Sequence, residues 1–216
     1  MNQDKPVCLI MTDSVALPRK YSGGMVNWKE TYPNRLKRIL VDFEVITLSI
    51  GGASITDLRN QVNYYKILNP KIVILQCGIV DAAPRAFGRI EMEIIKKLRI
   101  FRITKPFVSF LRKYRAHNYT SPSLFEKSLL EIKKALNTEN FFTIGILPAC
   151  KEFEQILPGI TKNIFIYNNI LKRSSDMISV SEIPKEGIAH DYHHLNIIGH
   201  EHLYDLIVVT LKTKVL

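Results

Sequence analysis

The sequence predicts an α/β protein: a three-layer α/β/α sandwich around a five-stranded parallel sheet. Three observations carry this reading. Short apolar runs recur at residues 7–11, 43–50, 72–76, 141–147 and 177–180. Several are nearly continuous in apolar residues rather than alternating, as strands buried on both faces are. Segments of helical periodicity separate them. Strands alternating with helices give a parallel sheet covered on both sides, because right-handed crossovers return each strand to the same sheet.

The elements follow in order. The first run, Val7-Cys8-Leu9-Ile10-Met11, leads into Thr12-Asp13-Ser14 and then Pro18-Arg19. Residues 34–40 read as a helix. The second run ends at Gly51-Gly52-Ala53-Ser54, and Ser54 and Asp57 have capping-box spacing at the head of a helix over 55–68. The third run ends at Gly78-Ile79-Val80-Asp81, with Pro84-Arg85 beyond. A basic stretch over 89–114 reads as helical, broken near Pro106, where proline removes a helical hydrogen bond. A helix over 123–136 follows Ser121-Pro122, with Ser123 as its cap. Helices over 161–173 and 197–211 complete the set, and the polar loop His190-Asp191-Tyr192-His193-His194-Leu195-Asn196 precedes the last.

The chain has 216 residues, 46% hydrophobic and 23% charged, an ordinary globular composition. The expected organisation is one domain over 1–216, with a basic helical insertion at about 89–122 as its one irregular feature. No run approaches the roughly 18 apolar residues of a membrane span. The run at 7–11 is too short for the apolar part of a signal peptide. The expected location is therefore cytoplasmic. Cys8, Cys77 and Cys150 show neither disulfide nor metal spacing and read as small core residues.

The net charge of +10 makes anionic partners plausible. Between residues 89 and 115 stand nine Lys or Arg against Glu91 and Glu93. Ile90, Ile94, Ile95, Leu98 and Phe101 fall there at helical spacing. This helix could cover the sheet with its charged face in solvent, lie over the cleft as a lid, or rest peripherally on an anionic membrane. No nucleic-acid motif accompanies the charge, so no nucleic-acid partner is expected.

In an open parallel sheet, sites form beyond the carboxyl ends of the strands. Ser14 follows the first strand there. A serine needs a base to take its proton. Asp191 and His194 are three residues apart in one loop, so the carboxylate can reach one imidazole nitrogen and leave the other for a serine. The backbone N–H groups of Ser14 and Gly52 are candidate donors to an oxyanion, since glycine lets the backbone approach a substrate closely. Each signal is weak alone, because serine after a strand is commonly a helix cap and paired glycines commonly form a turn. Arg19 and Arg85 read either as clamps for an anionic substrate group or as ion pairs that pin the loops. His190, His193, His194, His200 and His202 cluster near the C-terminus but match no standard zinc spacing, so no metal or other cofactor is expected. The loop at Gly51-Gly52 lacks the nucleotide-binding patterns.

With these residues in place, the chain resembles the SGNH (GDSL-like) hydrolases. Thr12-Asp13-Ser14 is similar to the Gly-Asp-Ser of that family's first block, and Gly52, with Gly51 as the alternative, to the glycine of the second. Gly78-Ile79-Val80-Asp81 is similar to the third, Gly-x-Asn-Asp. Asp191-Tyr192-His193-His194, followed by Leu195-Asn196 and Gly199, is similar to the last, Asp-x-x-His. The resemblance implies a flavodoxin-like fold. It also implies ester hydrolysis or acyl transfer through an acyl-serine, with Ser14, Asp191 and His194 catalytic. Gly52, Gly78, Asp81, Arg19 and Arg85 are the expected oxyanion and substrate-binding residues. The expected substrate is a small or carbohydrate ester, and Arg19 and Arg85 would suit an anionic one. Val80 stands where the family has its asparagine oxyanion donor, and valine cannot donate. Acyl transfer at the same site, or ligand binding without catalysis, are the alternatives.

Overall fold

The computed structural model describes residues 5–98, 108, 111 and 118–215. The five apolar runs become five parallel strands: β1 (Val7–Thr12), β4 (Glu44–Ser49), β5 (Ile72–Gln76), β6 (Asn140–Ile144) and β7 (Asp176–Ile178). Their order in the sheet is β4-β1-β5-β6-β7. This is the doubly wound order of flavodoxin-like folds, and its switch point lies between β1 and β5. Both strands there are buried nearly throughout, hence their continuous apolar runs.

Two groups of helices flank the sheet. One pairs α1 (Tyr32–Ile39) with the C-terminal helix α8 (Ile197–Lys214). The other sets α2 (Ile55–Tyr65) against α5 (Pro122–Leu136) and α5 against α7 (Ile160–Ser174). Each long helix turns one stripe inward, as with Phe125, Leu129, Ile132 and Leu136 of α5. Two short helices, α3 (Ile79–Ala82) and α6 (Lys151–Ile156), follow β5 and β6. A hairpin of β2 (Arg19–Tyr21) and β3 (Gly24–Val26) stands apart from the main sheet.

Several sequence expectations are corrected. The run at 141–147 leaves the sheet after Ile144. The Ile146 peptide is instead held by Asn168, whose amide bonds its N–H and C=O at 2.8 and 3.0 Å. The cap of α5 is Ser121, not Ser123. Its Oγ accepts from Leu124 N–H, and Pro122 fills a first-turn position that has no use for an N–H. Arg19 lies in β2 rather than in a loop.

Of the basic stretch, the described helix is α4 (Arg89–Lys97). Its inward side is Met92 and Ile95, packed with Ala86, Phe87, Val108 and Leu111. Ile94 and Leu98, expected on that side, are exposed. Arg99, Phe101 and Arg102 lie outside the described residues. Among the described residues, no helix is long and apolar enough to cross a membrane.

Candidate active site

The C-terminal ends of β1, β4 and β5 place three loops side by side. Thr12 at the end of β1 is the strand partner of Ser49 in β4 and of Gln76 in β5. Thr12 Oγ1 also donates to Gln76 Oε1 at 3.0 Å, and Tyr32 donates to the same oxygen at 2.8 Å. The chain then turns through a 3₁₀ helix over Ser14–Ala16, whose cap is Asp13: its Oδ1 accepts from Val15 N–H at 2.9 Å. Asp13 therefore does the capping work that Ser14 could have done, and the Ser14 hydroxyl is left for another partner.

That partner comes from the other end of the chain. Ser14 Oγ lies 2.9 Å from His194 Nε2, and His194 Nδ1 lies 2.7 Å from Asp191 Oδ2. The Asp191 Oδ1 atom accepts from the backbone N–H of His193 and of His194. The loop that arranges this is closed on itself. Ala189 N–H bonds the His194 carbonyl at 2.8 Å, and Ile188 and Leu195 form an antiparallel bridge. Tyr192 turns the chain in a left-handed conformation, φ 67°, which costs a non-glycine residue on the order of 1 kcal/mol. Gly187 and Gly199 approach so closely that a Cβ on Gly199 would run into the Gly187 carbonyl. This seats the loop on α8, and Asn196 caps that helix through Gly199 N–H at 3.1 Å.

The electrostatics favour proton transfer. Burial raises the Asp191 pKa, but the hydrogen bond from His194 and the charges of His194 and His193 outweigh it, so the carboxyl sits well below its usual range. Burial pushes the His194 pKa below that of free histidine; the Asp191 hydrogen bond opposes this, and His193 and Arg19 add to it. His194 is thus neutral near pH 7. A carboxylate on Nδ1 fixes the proton there, so Nε2 presents its lone pair to the Ser14 hydroxyl.

The other candidate residues take distinct places. Arg19 donates to the Ser14 carbonyl at 2.8 Å and lies 3.6 Å from Asp191 Oδ2. It joins the two halves of the site, which fits loop pinning rather than an anion clamp. Asp81 is fully buried with its carboxylate on Ile55 N–H at 3.1 Å, so it binds the head of α2 rather than facing the cleft. Gly78 is buried at φ 117°, a conformation that strains any side chain, and a Cβ there would also meet Ile146 Cδ1 at 2.6 Å. The Arg85 guanidinium lies over the Tyr119 ring. Gly52, φ 71°, is exposed with open space at its Cα. The N–H groups of Ser14 and Gly52 have no hydrogen-bond acceptor among the described residues.

Three features of the site go beyond what the sequence showed. Asp13 is fully buried one position before Ser14, and burial lifts its carboxyl to about 7 despite the Val15 N–H. His193 stacks on Phe153 at 5.5 Å and packs against His194. A cavity of about 20 Å³ opens between Asp13, Val15, Cys77, Ile146 and His193. Asp191, His193 and His194 also bring possible metal-ligand atoms within 4.8 Å of one another. The Asp191 and His194 atoms are already engaged with each other at hydrogen-bond distance.

No protein-family model and no curated protein matches the chain. Solved structures do. A lipase/acylhydrolase from Enterococcus faecalis is similar with a TM-score of 0.66 at 16% identity over 96% of each chain. A GDSL-like lipase from Bacteroides thetaiotaomicron gives 0.62 at 12% identity over 95% of this chain and 87% of that one. An acetyl xylan esterase gives 0.63 at 16% identity over 95% and 100%. At these identities the likeness establishes the fold.

Proposed function

From a chain with the fold of the SGNH/GDSL-type hydrolases, we propose a serine-dependent ester hydrolase centred on Ser14. One observation carries the proposal: Ser14 Oγ, His194 and Asp191 form an unbroken hydrogen-bonded relay of 2.9 and 2.7 Å. In the first step Ser14 Oγ bonds to the acyl carbon while its proton passes to His194 Nε2. The Ser14 and Gly52 N–H groups face the carbonyl oxygen as it gains charge. His194 then protonates the departing alcohol, leaving an acyl-serine. Water attacks that ester with its proton taken by His194, and the acid leaves as Ser14 is reprotonated. Asp191 holds the ring and stabilises the imidazolium without itself accepting the proton.

The small cavity beside the Ser14 turn suits an acyl group that ends in about one methyl. Names among the structural neighbours, a lipase/acylhydrolase and an acetyl xylan esterase, support ester chemistry. Val80 favours a second reading, ligand binding at a site that has lost hydrolysis, because one missing oxyanion donor costs about 10²–10³ in rate.

The test is hydrolysis of p-nitrophenyl acetate with labelling by a serine-directed fluorophosphonate. Turnover that falls by about 10⁴ or more in Ser14→Ala, with the label on Ser14, is the expected result. Equal inactivity of both proteins on a broad ester panel, without labelling, overturns it.

A further inference from the structure

A second feature adjoins the Ser14 turn and takes no part in the relay. A groove of about 350 Å³ runs between the outer strand β4 and helix α1. That volume falls in the roughly 300–1,000 Å³ range of small-molecule sites. Its walls include Ala16, Trp28, Asn34, Lys37, Thr47 and Ser49. Two of its lining residues adjoin the loops of the proposed site. Ala16 belongs to the same 3₁₀ turn as Ser14, and Ser49 pairs with Thr12 and precedes Ile50-Gly51-Gly52.

Four details show unused binding capacity. Trp28 is the chain's one tryptophan and is 58% exposed, an unusual place for so much apolar area. Ser49 Oγ is buried with no hydrogen-bond partner, a state that costs about 1–3 kcal/mol unless something satisfies it. The Asn34 side chain gives an N–H to Thr31 Oγ1 at 2.9 Å, while its carbonyl oxygen carries no bond among the described residues. Lys37 makes no ion pair there either.

We infer that this groove is the subsite for a sugar, the alcohol part of the ester cleaved at Ser14. A pyranose ring has an apolar C–H face and a rim of hydroxyls. Its face suits the exposed Trp28 indole. Its hydroxyls can satisfy Ser49 Oγ and Asn34 Oδ1, with Thr47 and Lys37 also lining the groove. A lipid alcohol would leave these polar groups dry and unpaired. The assignment of the sugar as leaving group rests on the esterase reading above; the binding of a sugar does not.

Trp28 supplies its own reporter. The Ser14→Ala protein is titrated with cellotriose, xylotriose and chitotriose, with 1-hexanol and glycerol as controls, while tryptophan emission is followed. At least one sugar should give a saturable change in intensity with a blue shift, and the controls should not. Ser49→Ala and Asn34→Ala, added to that protein, should each weaken the sugar at least fivefold. Ser49→Ala should do so without lowering the melting temperature, because it deletes a hydroxyl that the free protein leaves unpaired. In the otherwise unaltered enzyme, Trp28→Ala should lower the ratio of kcat/KM on acetylated xylotriose to that on p-nitrophenyl acetate at least tenfold. No response to any sugar, an equal response to hexanol, or an unchanged ratio overturns the subsite and leaves the Ser14 chemistry standing. Saturable sugar binding with no hydrolysis and no labelling of Ser14 supports the groove and overturns the esterase.

Discussion

His194 and His200 stand in the same C-terminal segment, one in the loop and one in the first turns of α8, and the same chain makes opposite uses of them. Both are buried, and burial lowers the pKa of both. His194 has a carboxylate on Nδ1 and a serine hydroxyl on Nε2. His200 accepts the Tyr32 N–H on Nδ1 at 3.2 Å and stacks on Tyr32, while its buried Nε2 has no partner. No carboxylate opposes its burial, and the charges of Arg19, Arg35 and His194 push the same way, so it falls to about 3. Burial alone makes a histidine neutral. A carboxylate on one nitrogen and a hydroxyl on the other equip it to act as a base.

The contrast can be broken most forcefully at its carboxylate. Asp191→Asn should lower kcat on p-nitrophenyl acetate by about 10⁴, since the wrong tautomer then faces Ser14. His200→Asn keeps an acceptor near Tyr32 N–H. It should leave kcat within about tenfold, below the 10²–10⁴ typical of a proton-transfer group. Comparable losses in the two variants would abolish the distinction.

A smaller effect should sharpen it. In the proposed mechanism His194 must be neutral to act, and burial lowers its pKa from 6.5, so kcat/KM should rise with pH below 6.5 and level off above. Arg19 helps to hold that pKa down. Arg19→Gln should therefore move the acid limb upward, by up to about one unit, while Arg19→Lys should keep it near its original place. A limb that stays fixed in Arg19→Gln would reduce Arg19 to a purely mechanical tie between Ser14 and Asp191.

A further effect is on stability. The unfolded chain takes up a proton at His200 near pH 6.5, whereas the folded chain resists until about 3. That contribution is complete above 6.5 and is lost as pH falls from 6.5 toward 3. His200→Asn should flatten the acid slope of unfolding free energy by up to about 1.4 kcal/mol per pH unit, measured by denaturant titration across that window. An unaltered slope would contradict the burial argument.

Much of the fold was legible because its signals are local. The run at 72–76 has the same bounds as β5, since a strand buried on both faces is apolar without a break. The capping box at Ser54 is present, with Ser54 N–H on Asp57 at 2.8 Å. The hairpin over Arg19–Val26 was missed because each strand has only three residues, too few for an alternating pattern. The exposure of Ile94 and Leu98 could not be read from helical spacing, which identifies a stripe but not what covers it. At the site, Ser14, His194 and Asp191 were legible as residue types at strand and loop ends, while the buried Asp13 beside them was hidden by its ordinary role as a cap.

By itself, the sequence determined the alternation of strands and helices and the reactive groups that follow each strand. It also determined the valine at position 80. Those are properties of neighbouring residues, written in periods of two and of about 3.6. Only the tertiary structure decided that Ser14 and His194, 180 positions apart, meet at 2.9 Å. That distance depends on the close contact of Gly187 with Gly199, on α8 packing against α1, and on Arg19 bridging the two loops. Contacts across a sheet are set by how whole elements pack, and no local pattern encodes them.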